Sequence, residues 1–106
     1  INVIEDVTPF CDCVASGPPL TANVGILASM DPVAIDKASL DLIDAAKPTV
    51  TLKVSPPDIL GKIHGRNSLL CLQAAECLGL GSLNYELVEV IVEEEKLEAR
   101  IQTVKP

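Results

Sequence analysis

At 106 residues and 48% hydrophobic content, the chain has room for one domain with a modest core and none for a second. Eight basic residues against fifteen acidic give a formal charge of −7, which repels nucleic-acid phosphates and anionic lipid surfaces. Phe10 and Tyr85 are the only aromatic residues, so the chain lacks stacking platforms for RNA or single-stranded DNA, and its core must be assembled from Val, Ile, Leu and Ala. The expected partner is a protein or a metal, with no nucleic acid and no membrane.

Ile1 to Val7 reads as a β-branched strand ended by Thr8-Pro9, and residues 10–20 form a loop holding Cys11, Cys13 and Gly17-Pro18-Pro19. Residues 23–29 are a short apolar run, the pattern of a strand covered on both faces. A helix follows, with Asp31 as N-cap, Pro32 at its first position and Ile35, Ala38, Leu42 and Ile43 on one face. Asp36, Lys37, Asp41 and Asp44 fall mostly toward water or a neighbour. Lys47-Pro48 ends this helix, and Thr49 to Val54 alternates as a short strand before Pro56-Pro57.

Residues 55–66 carry no clear pattern. A second helix is expected from Asn67 or Ser68 to Leu78, with Leu70, Ala74, Cys77 and Leu78 as its buried stripe and Gly79 as its C-terminal cap. Tyr85 to Val92 reads as a strand, Glu93-Glu94-Glu95 ends its pairing in solvent, and a charged tail or an edge strand runs on through Ile101. The fold class is α/β (or α+β), a small sheet of about four strands with two main helices packed on it.

No apolar run approaches the roughly 20 residues that span a bilayer. Residues 1–9 carry Glu5 and Asp6 and no basic start, unlike a signal peptide, and the missing initiator Met points to an excised piece of a longer polypeptide. Reduced thiols suit the spacing of Cys11 and Cys13 and the helical setting of Cys71 and Cys77, which places the chain in the cytoplasm.

Cys11-Asp12-Cys13 is the leading chemical signal. Thiols two residues apart point to the same side of an extended chain, so both can face one soft ion, whereas a disulfide between them would close a strained ring. A complete zinc or iron site wants about four ligands, and the others would come from Asp12, His64, Cys71, Cys77 or another part of the parent protein. The competing reading is two small residues packing a loop. Cys71 and Cys77, about 240° apart on a helix, are expected in the core. His64, the single histidine, sits between Gly61 and Gly65 and can complete a metal site, move a proton, or simply lie on the surface. Asp31 is explained by capping alone, while Asp36, about 140° around the helix from it, is free to bind a cation or form a salt bridge with a neighbouring segment. Gly25 weakens a strand unless a bulge or a close neighbour requires it.

Cys11-Asp12-Cys13, the run Val24-Gly25-Ile26-Leu27-Ala28-Ser29-Met30-Asp31-Pro32-Val33-Ala34-Ile35-Asp36-Lys37-Ala38-Ser39, and Leu78-Gly79-Leu80-Gly81-Ser82 resemble, in this order, the C-terminal portion of the domain of unknown function 362 family, often described as iron-sulfur centre proteins. The resemblance spans most of residues 1–92 and carries Cys11, Cys13, Asp31 and Asp36 as motif positions. Many members hold ferredoxin-like Cys clusters upstream, each able to bind a [4Fe-4S] cluster, so the resemblance implies a cluster outside these 106 residues. Where an acidic residue is expected before Val24-Gly25, this chain has Asn23.

The leading expectation is a single domain, 1–106, the C-terminal fragment of an iron-sulfur-associated protein. Cys11 and Cys13 would hold a zinc or iron ion or lie near an electron-transfer centre, with Asp12, Asp31, Asp36 and His64 as further ligands. Its partners would be the N-terminal and ferredoxin-like parts of the parent protein or a redox protein. Two alternatives remain open: an enzyme using Asp36 and His64 for acid/base work at a cleft completed by a missing N-terminal region, and a docking module with no chemistry of its own.

Overall fold

The structure, a computed structural model, describes residues 1–10, 17–93 and 98–104. Cys11, Asp12 and Cys13, and Glu94 and Glu95 of the acidic run, lie outside the described residues. In chain order the elements are β1 (Asn2–Ile4), β2 (Gly25–Leu27), α1 (Pro32–Ala45), α2 (Ile59–His64), α3 (Leu69–Cys77), β3 (Leu87–Glu93) and β4 (Glu98–Val104). The mixed helix and strand class is the expected one. The strands, however, form two antiparallel pairs, β1 with β2 and β3 with β4, and among the described residues no ladder joins the pairs into one sheet.

The core is built around α1. Asp31, in extended conformation, accepts hydrogen bonds from the N–H groups of Val33 and Ala34, and Pro32 occupies the first turn, where a missing N–H leaves no bond unmade. Val33, Ala34, Ile35, Ala38 and Ser39 are buried, and α1 packs on β1 and α3. Ile4, Ile59 and Leu72 complete the apolar centre. Fully burying a side chain of the size of Ile59 contributes about 2 kcal/mol. As expected, the helix stops ahead of Lys47-Pro48.

Four expectations about packing are corrected. The run 23–29 pairs only over Gly25–Leu27 and is not covered on both faces: Val3 and Ile26, directly opposite each other, are 57% and 71% exposed, and α1 packs on β1. Thr49 to Val54 forms no strand. Backbone bonds Ala22 N to Lys47 O and Thr49 N to Leu20 O hold it to the loop at 20–22 through one isolated bridge, Thr21 with Pro48, and Pro48 lacks the donor a ladder needs.

The buried stripe of α3 is rotated from the expected one. Leu72 faces the core, whereas Leu70, Ala74, Cys77 and Leu78 are exposed, because apolar residues around most of the helix leave the choice of face to the contact with α1. Cys71 and Cys77 are accordingly free, exposed thiols and not core residues. Gly79 ends this helix as expected, at a φ of +79° that favours glycine.

Residues 55–66, without a clear pattern in sequence, contain α2. Its N-cap, Asp58, has a left-handed backbone (φ 58°, ψ 56°), and its C-cap, Gly65, is left-handed as well.

Candidate functional site

The single histidine of the chain lies at the end of α2. His64, the last residue of that helix, meets the ring of Phe10 edge-on, with centroids 5.5 Å apart and planes at 78°. Phe10 immediately precedes Cys11 in the sequence, so the imidazole meets the residue next to the first of the two close cysteines. Local geometry makes this placement: Asp58 starts α2, Gly65 ends it, and the Gly65 N–H closes the last turn onto the Lys62 carbonyl.

Asp31 is a structural clasp. Its Oδ1 accepts from Val33 and Ala34 N–H, each at 2.9 Å, and its Oδ2 accepts from Ser82 N–H at 3.0 Å, which ties the start of α1 to the turn after α3. Hydrogen bonding from the Ala34 N–H is the largest influence on the carboxyl, and with the Ser82 and Val33 N–H groups it outweighs partial burial and holds the group below the ordinary value of 3.8. A methyl group on Gly81 would overlap Asp31 Oδ1 and come within 2.9 Å of Val33 Cβ, so only glycine admits this approach.

Asp36 is exposed and accepts from Asn2 Nδ2 at 2.9 Å, while the same amide also donates to Ser39 Oγ. Its partner in the neighbouring segment is a neutral amide, so this contact is a hydrogen bond and not the ion pair expected of it. Asp36 and His64 share none of these partners, the one meeting Asn2 and the other Phe10. Among the described residues no three His, Cys, Asp or Glu side chains gather in a group able to hold a metal ion, so Asp31, Asp36 and His64 do not form one. Asn23 accepts from the Asp6 N–H at 2.9 Å, a backbone-supporting role.

Two features had no signal in the sequence. Tyr85 donates its hydroxyl proton to Asp41 Oδ2 at 2.6 Å, and Asp41 Oδ1 pairs with Lys37 Nζ at 2.5 Å. Burial and, after it, the Asp41 carboxylate push the Tyr85 hydroxyl well above its usual value, keeping it protonated. Only the i, i+4 spacing of Lys37 and Asp41 was readable; the arrival of Tyr85 depends on the tertiary fold. The second feature is a groove of about 650 Å³ over α1, with one wall from residues 24–29 and the other from residues 85–90.

No helix among the described residues is long and apolar enough to cross a membrane. Comparison with curated proteins and with solved structures gives no match. Residues 1–41, from β1 through the Cys11/Cys13 segment and β2 to the middle of α1, match the model of a family described as a domain of unknown function (DUF362).

Proposed function

We propose that this chain is a metal-binding domain of an iron-sulfur-associated DUF362 protein, in which Cys11 and Cys13 hold a zinc or iron ion with His64 as the nearest further ligand. The observation that carries the reading is the position of His64 against Phe10, one residue ahead of Cys11. Two thiolates and an imidazole are a donor set suited to zinc or iron, and Asp12 offers a fourth group in the same loop. The bound ion would lock the loop onto α2, because it would cross-link residues 11–13 to the end of that helix. The reading places the chain in a reducing compartment such as the cytoplasm, where thiols stay free. Its companions there would be a cluster-bearing ferredoxin-like part of the parent protein or a separate redox protein.

Asp31 enters this reading only as a clasp, since backbone N–H groups occupy both of its oxygens. The test is the elemental content and the ultraviolet-visible spectrum of the chain purified without oxygen. About one equivalent of zinc or iron is expected. It should be lost in Cys11→Ser and Cys13→Ser and weakened in His64→Ala. A folded protein free of metal, or metal retained in both serine variants, would overturn the proposal.

A further inference from the structure

The groove over α1 has the features of a strand site. Both of its walls are built on strands that are paired on one side only among the described residues, β2 with β1 and β3 with β4. Such edges present backbone N–H and C=O groups in a row, a template for an added strand. The floor is the apolar face of α1, with Ala34, Ile35, Ala38 and Leu42, the kind of helix face that normally covers a continuous sheet.

The size agrees. A strand fills about 4.8 Å across a sheet and about 10 Å through it, so a slot of this volume holds about four residues of strand at about 3.3 Å each. Gly25 adds an independent sign. Its φ of +137° is one that L side chains rarely adopt, and the space where its side chain would project is open, so another backbone can approach β2 closely there.

Charge narrows the occupant further. Glu86 and Glu89 line the groove and are exposed, and among the described residues no Lys or Arg lines it. A second copy of a chain with net charge −7 is a poor match for that rim. We propose that the groove receives one extended strand of a partner polypeptide, with apolar residues toward α1 and Lys or Arg beside Glu86 and Glu89, which pairs with β2 and β3 at once and joins the two ladders into one sheet. Val3 and Ile26 then lie on the outer face of that sheet instead of at the margin of an isolated pair.

The test titrates the 106-residue chain with a blocked peptide of about seven residues alternating Val and Lys, with the same peptide N-methylated at alternate amides, and with a version carrying Glu in place of Lys. The Lys peptide should bind and slow amide exchange in both walls, at residues 25–28 and 86–90. N-methylation should weaken it at least about tenfold by removing backbone donors, and the Glu peptide should not bind. Glu86→Gln with Glu89→Gln, both on the surface, should weaken the Lys peptide several-fold while leaving the fold intact. Unchanged affinity after N-methylation would reduce the effect to charge attraction and overturn the proposal, as would protection confined to one wall or absence of binding. A dimer of the chain alone, seen by sedimentation and dissociated by the peptide, would give the groove to a second copy and overturn it too.

Discussion

Asp31 and Asp58 each cap a helix, and each lies against a glycine with no room for a side chain, yet they close the chain over different distances. Asp31 is extended and reaches from the start of α1 to Ser82, 51 residues on. Asp58 is left-handed and reaches to Gly61 within its own helix and to Ser68, ten residues on. The local clasp needs outside help: Asp44, near the end of α1, accepts the N–H groups of Asp58 and Ile59 at 2.7 and 2.9 Å and holds the backbone there. A left-handed aspartate is strained on its own, so its conformation is imposed by the helix beside it. The long-range clasp rests on a cap that the local sequence already favours.

Gly61→Ala should break the comparison most severely. The new methyl group would overlap the Asp58 carboxylate and also the backbone carbonyl of Arg66, which cannot rotate away, so the thermal midpoint should fall by about 10 °C or more. Gly81→Ala overlaps the Asp31 carboxylate, a side chain that can swing aside by giving up its hydrogen bonds, and crowds Val33 Cβ at 2.9 Å, a milder conflict than the carbonyl overlap at Gly61; a fall of about 5 °C is expected. Circular dichroism melts of the two variants decide the order, and equal losses would show that the backbone contact at Gly61 carries no extra weight.

Asp31→Ala made in the Gly81→Ala background should cost much less than Asp31→Ala alone, since the first change has already dislodged the clasp. Additive losses in that cycle would separate the two residues. The smallest effect is the dependence on pH. Burial raises the Asp58 carboxyl, but hydrogen bonds from the Ser68 side chain and N–H and from Gly61 N–H, with the Lys62 charge, outweigh it and leave the group below 3.8. Asp31 is lowered too. Both groups therefore add stability that is present above the ordinary aspartate value of 3.8 and is lost as pH falls through their lower folded values. Acid titration of Asp31→Asn and Asp58→Asn should show a shallower decline below that value than the parent chain.

The same contrast explains what could be read in advance. Asp31-Pro32, the apolar spacing of Ile35, Ala38 and Leu42, and Lys47-Pro48 define α1 from local chemistry, and Gly79 likewise ends α3. Six-residue α2 was not legible, because its start depends on Asp44 reaching across to Asp58 and Ile59. The buried face of α3 was misjudged because Leu69, Leu70 and Leu72 offer more than one apolar stripe and α1 selects among them. Thr49 to Val54 had strand-like residues but no partner edge. At the candidate site, Cys11, Cys13 and His64 are evident as residue types, while the contact of His64 with Phe10, next to Cys11 in the sequence, is one that no spacing rule reveals.

The bond between Asp31 and Ser82 also orders events in time. During synthesis α1 leaves the ribosome while the residues up to Ser82 are still to be added, so the second carboxylate oxygen waits for a partner from late in the chain. Contacts of such long sequence separation form slowly, after local helices have already flickered in and out. A chain stopped before Ser82 therefore carries an α1 that is capped and can still pack on β1 and α3, but whose second Asp31 oxygen lacks its bond to the turn at 81–82.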